Sequence, residues 1–115
     1  MDYQGITVNL IGNATRDAEV KRAKESGNQY GDFRLAVKNR QRETTYFPIR
    51  CFGKLAEGAS GIKKGTKVFV VGDLELSTFI NEEGKKQVNF RVLADTYRIL
   101  NGRRRASEDN PDDVL

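Results

Sequence analysis

Three aromatic residues, Tyr46, Phe52 and Phe79, carry most of the chemistry this sequence offers. Each lies in a stretch where polar and apolar residues alternate, so spacing decides where its ring points. Within Thr44–Phe52, Phe47, Ile49 and Cys51 share one face, while Tyr46, Pro48, Arg50 and Phe52 share the other. In the stretch ending at Phe79, Leu74, Leu76 and Thr78 oppose Glu75, Ser77 and Phe79. Successive side chains of a strand project to opposite faces. The apolar-dense faces therefore take the core, and the three rings point outward. Arg50 stands beside two of them. Outward rings interleaved with cations suit a chain of unstacked bases, with base faces on the rings and phosphates on the charges. Reading a duplex would instead require a helix or ribbon in the major groove. The alternative for each ring is a place in a subunit interface or beneath a loop.

The candidate phosphate contacts are Arg34, Lys38, Arg40, Arg50, Lys85 and Lys86. Arg34 and Lys38 project from the strand next to Arg50, Arg40 opens a polar loop, and Lys85 and Lys86 follow a turn. Phe33, Phe47, Phe69 and Phe90 are assigned to the core; Tyr30 and Tyr97 are assigned to neither face. Cys51 reads as a small buried hydrophobe. The chain has one cysteine and no histidine, which removes an internal disulfide, the usual zinc sites and His-dependent acid–base chemistry. No convergent carboxylate or lysine cluster replaces them, and no glycine pattern forms a phosphate-binding fingerprint. The expectation is a binding protein with no catalytic residue, no metal and no cofactor.

The elements that must position these residues follow from periodicity. Gly5–Ile11 alternates, with Ile6, Val8 and Leu10 on one side, and Gly12-Asn13 closes it with turn chemistry. Glu19–Lys24 is a weaker strand candidate. Gln29–Asn39 turns Phe33, Leu35 and Val37 inward. Thr44–Phe52 comes next, with Pro48 marking an edge or bulged position. Gly53–Gly61 breaks the pattern: Lys54-Leu55-Ala56-Glu57 favours a helix of two or three turns, limited by Gly58 and Gly61. Thr66–Phe79 and Lys85–Leu100 are long strands joined by the Asn81–Gly84 turn. The fold class is therefore all-β: a five-stranded, partly open Greek-key barrel of the OB type, with one short helix between strands 3 and 4. A sandwich would show more and shorter strands. Residues 1–100 form this domain, and residues 101–115 form a basic-then-acidic tail.

Charge agrees with a polyanion partner. Net charge is +4, but residues 106–115 hold four acids and no bases, so the remainder carries 20 bases against 12 acids. The tail then competes for, or screens, the same surface. No apolar run approaches the ~20 residues of a membrane span, and no basic segment followed by an apolar stretch opens the chain. The expected compartment is the cytoplasm, in association with the nucleoid.

Taken together, these segments resemble the bacterial single-stranded DNA-binding proteins. The likeness rests on Phe52-Gly53-Lys54-Leu55-Ala56-Glu57 followed by Lys64–Leu74, on Leu10-Ile11-Gly12-Asn13 with Asp17-Ala18-Glu19-Val20, and on Val92-Leu93-Ala94-Asp95. It covers about residues 4–100. It implies base stacking at Tyr46, Phe52 and Phe79, and protection of single-stranded DNA during replication, recombination or repair. A further stacking position of the family falls near Arg40-Gln41, which is not aromatic here, and the chain has no tryptophan. The resemblance also implies a homotetramer with the first strand in the interface. The acidic–apolar end, Asp112, Asp113, Val114 and Leu115, resembles the tip by which the family recruits replication and repair proteins. The short tail is similar to that of accessory, plasmid-borne or phage-borne members. The alternative is a replication-restart or loading factor of the same fold, acting mainly through protein partners.

Overall fold

Runs of β-branched and aromatic residues alternating with polar ones form six strands among the described residues: β1 (Thr7–Ala14), β2 (Glu19–Arg22), β3 (Gln29–Lys38), β4 (Thr44–Phe52), β5 (Lys67–Ile80) and β6 (Lys86–Ile99). The computed structural model describes residues 5–100. Helix α1 (Lys54–Gly58) continues into a 3-10 turn at Ala59–Gly61, and the two together separate β4 from β5. Gly53, at φ 63°, turns the chain from β4 into the helix; a side chain there would be strained.

Five of the strands close a circuit. β1 pairs antiparallel with β5 through Thr7–Asn13, and at Asn13 and Ala14 with β3. β3 pairs with β4 along its length, and β6 with β5. A short parallel contact of β4 with β6, Ile49 opposite Val92 and Arg50 opposite Leu93, completes the barrel. The helix sits between the third and fourth strands of this circuit, as expected. Of the weaker candidate Glu19–Lys24, Glu19–Arg22 forms a strand, β2, which pairs only with β3 among the described residues and forms a hairpin outside the barrel.

The core holds Leu10, Ala14, Phe33, Leu35, Ile49, Cys51, Val68, Val70 and Val92 from the strands, Ala56 and Ala59 from the helical segment, and Ile62 just after it. α1 therefore plugs one end. The Tyr97 hydroxyl fastens it, donating to the Leu55 carbonyl at 2.7 Å.

Several local expectations change. Gly12 does not end β1: the strand runs through it to Ala14. At Gly12 the strand passes from β5 toward β3 so closely that a Cβ would lie 2.5 Å from the Ala36 carbonyl oxygen. Pro48 sits within the β3–β4 ladder opposite Arg34; β4's other edge is paired only at Ile49 and Arg50, so the missing donor costs no bond there. Leu76 and Thr78 do keep the inward parity, yet both are exposed. β5 and β6 are 14 residues each, and their far halves run past the barrel as a two-stranded arm with no strand opposite. For the same reason Phe90 packs edge-on against Phe47 at the arm's root, their ring centres 5.5 Å apart, outside the buried core. Phe69 alternates with the buried Val68 and Val70, and so lies on the outer face.

Candidate nucleic-acid interface

The outer face of β3 and β4 is a ladder of paired residues. Tyr46 stands opposite Ala36, Pro48 opposite Arg34, Arg50 opposite Asp32, and Phe52 opposite Tyr30. Tyr46 and Phe52 are 52% and 51% exposed, and Phe79, on the arm, is 43% exposed. Alternation on β4 forces the exposure of the first two: Tyr46 and Phe52 alternate with Phe47, Ile49 and Cys51, which turn toward the barrel. The face continues past β4. Arg91 of β6 shares one concavity with Arg50, Arg34 and Pro48, and another with Pro48, Glu75 and Ser77. Glu75 and Ser77 have the parity of Phe79, so Arg91 links the β3–β4 surface to the face of the arm that bears Phe79.

Beside Arg50 this surface sinks into an open cavity of about 350 Å³. Arg16, Lys21, Arg34, Arg50 and Arg91 contribute cations to its wall, and Asp17, Glu19 and Asp32 contribute acids. Three of the cations are paired. Lys21 lies 3.1 Å from Glu19, and Arg91 lies 3.1 Å from Glu75. Arg50 donates from Nε and Nη2 to the two Asp32 carboxylate oxygens at 2.8 and 2.9 Å. Those bonds raise the Arg50 pKa beyond its ordinary value, against the opposing effect of burial. The same guanidinium lies over the Tyr30 ring, its central carbon 4.4 Å from the ring centre.

Arg34, Lys38 and Arg40 are exposed and form no ion pair among the described residues. Arg40 projects from a tight loop in which the Asn39 side-chain oxygen accepts the backbone N–H groups of Gln41 and Glu43. The arm's tip repeats this arrangement: the Asn81 side-chain oxygen accepts from Glu83 and Lys85. Lys85 stands exposed at that tip. Lys86 pairs with Ile80, on the face of the arm opposite Phe79. The fold thus brings Tyr46, Phe52, Arg34 and Arg50 together on one surface, extends it to Phe79, and sets Lys86 on the other side.

Residue spacing missed Arg16, Arg91 and the role of Tyr30. Arg91 was legible, since it alternates with the buried Val92. Arg16 lies in a loop where no periodicity applies. The tail residues Asp112, Asp113, Val114 and Leu115 lie outside the described residues. Among the described residues no group of three or more His, Cys, Asp or Glu is placed to hold a metal ion, and no helix is long and apolar enough to cross a membrane.

A closed five-stranded barrel with exposed rings among cations on one face defines a nucleic-acid-binding OB-fold. The Single-strand binding protein family matches residues 6–100, and the chain belongs to that family. Relatives include single-stranded DNA-binding protein 1 of Clostridium acetobutylicum, 30% identical over 84% of this chain and 94% of its own length. The single-stranded DNA-binding protein of Streptococcus mutans is 33% identical over 82% of this chain and 61% of its own length. Single-stranded DNA-binding protein 1 of Staphylococcus aureus is 31% identical over 91% and 70%. The chain thus spans nearly all of the first relative and under two thirds of the second.

Proposed function

We propose that this chain coats single-stranded DNA without sequence preference, as a non-catalytic protector of strands exposed during replication, recombination or repair. The observation that carries this is the set of rings at Tyr46, Phe52 and Phe79, each about half exposed on one continuous outer face. Half-exposed rings gain free energy when a base covers them. For single-strand-binding OB-folds as a class, each stack contributes about 1–3 kcal/mol. Arg34, Lys38, Arg40 and Lys85 supply the electrostatic share, which salt weakens, while Lys86 lies on the opposite face of the arm and is left out of it.

The experiment is a titration with oligo-dT, followed by tyrosine fluorescence because the chain has no tryptophan. The expected result is quenching with an affinity that falls as salt rises. Neither quenching nor a gel shift at low salt defeats the reading.

Two further parts of the reading concern partners. Among the described residues β1 is paired along one edge and is free along most of the other, with Ile11, and Ile6 just before the strand, 54% and 48% exposed. An open edge beside apolar side chains favours pairing with another strand, which supports a homotetramer with β1 in its interface. Light scattering that finds a monomer at working concentration refutes it. The acidic–apolar composition of Asp112, Asp113, Val114 and Leu115 supports recruitment of replication or repair proteins. Deleting residues 106–115 then abolishes partner binding and leaves DNA binding equal or tighter. The site of action is the cytoplasm, on nucleoid DNA.

A further inference from the structure

Arg50 shares a face with the rings, yet its surroundings differ from those of its neighbours. Its guanidinium is held flat in two ways: both Asp32 oxygens accept from it, and the Tyr30 ring lies beneath it. Its positive charge already has a carboxylate partner, whereas Arg34 and Lys38 have none among the described residues. The group is nevertheless reachable, with its side chain 29% exposed. Arg50, Asp32 and Pro48 line the open cavity on this face, and Tyr30 does not. A ligand in the cavity therefore meets Arg50 on a side that Tyr30 does not line.

From this we infer that Arg50 is a base-stacking platform and not a phosphate clamp: Tyr30 and Asp32 present its guanidinium plane to an unstacked base seated in the cavity beside Pro48. This deepens the single-strand-binding reading and rests on it. A guanidinium is planar and weakly hydrated, so it stacks on aromatic faces as readily as it pairs with anions, and bases stack on such planes. Asp32 already takes the Nε–H and one Nη2–H, and its charge opposes a phosphate at the donors that remain; a neutral base meets no such repulsion. Two anchors already immobilise the side chain, so little rotamer freedom remains to be lost on binding. Tyr46 and Phe52 are six residues apart on β4, roughly 20 Å, and Arg50 supplies a flat surface between them.

The test uses the full chain with two ligands of equal length, oligo-dT and an all-abasic deoxyribose-phosphate oligomer. Arg50→Lys keeps the charge and removes the plane. It is expected to weaken oligo-dT binding about tenfold and to leave abasic binding unchanged. Arg50→Met is expected to do the same, with no change in the salt dependence of oligo-dT binding. The proposal is overturned if Arg50→Lys binds oligo-dT like the wild type. It is equally overturned if Arg50→Met weakens both ligands and reduces the slope of log affinity against log salt by about 0.7, the share of one phosphate contact on a single strand. Wild-type failure to bind oligo-dT would instead defeat the parent reading. Retained abasic binding reports that each variant is folded. Should the Arg50 variants not fold, Asp32→Asn serves. Freeing the guanidinium is expected to steepen the salt slope by about 0.7 and weaken oligo-dT binding at high salt; no change in either overturns the proposal.

Discussion

Replacing Tyr46 with alanine separates binding from folding at one position. The ring is 52% exposed and faces Ala36 across the strand pair. A cross-strand contact to alanine contributes little beyond the backbone ladder. The buried half of the ring covers roughly 100 Å² of the ~200 Å² typical of an aromatic side chain. At about 25 cal/mol per Å² this is at most ~2.5 kcal/mol of stability. A domain of this size has about 5–15 kcal/mol to lose, so Tyr46→Ala stays folded at room temperature. Loss of a stacked base weakens binding by about 1–3 kcal/mol, or roughly 5- to 150-fold. The ring carries no charge at neutral pH, so the slope of log affinity against log salt should not change. The assay is competition of unlabelled protein for a fluorescent oligo-dT at several salt concentrations, with thermal unfolding measured on the same samples. Unchanged affinity would show that the exposed face of β4 does not meet DNA. Weakened affinity with a shallower salt slope would show that the lost contact was electrostatic, and would refute the stacking argument.

Three predictions concern the scaffold. Gly72→Ala should destabilise by about 3 kcal/mol or more, because its Cβ would lie 2.2 Å from the Leu93 carbonyl oxygen; a midpoint of thermal unfolding within a few degrees of wild type would contradict this. Tyr97→Phe leaves the Leu55 carbonyl without its donor, and should cost about 1 kcal/mol, a fall of about 4–8 °C in midpoint. Burial pushes the Cys51 thiol from its ordinary 9.0 up to about 11. Because the folded pKa is the higher one, stability is level below the ordinary thiol range and declines as pH rises toward about 11. Urea unfolding across that range should show this decline, and a smaller one in Cys51→Ala; equal declines would place the effect elsewhere. Tyr97, also raised by burial, adds a decline of the same sign.

What the sequence determined by itself was whatever depends on parity within one strand. Period-two alternation exposes Tyr46 and Phe52 wherever β4 lies, because neighbouring side chains must take opposite faces, and it sets Phe79 apart from Leu76 and Thr78 in the same way. The break at Gly53–Gly61 likewise marked the one α-helix among the described residues, since strand periodicity stops there and two glycines limit the helix to a short length. Tertiary structure decided whatever depends on which strands meet and where each one ends. Leu76 has core parity but no opposing strand, because the arm outruns the barrel. Gly12 reads as a turn, yet it is a crossing point whose need for glycine comes from Ala36, 24 residues away. Arg50 reads as a free cation on β4. Only the register with β3 places Asp32 beside it and Tyr30 diagonal to it, so that its charge is matched and its plane held flat. Parity is a property of the local backbone; pairing partners and closure depend on chain segments far apart in sequence.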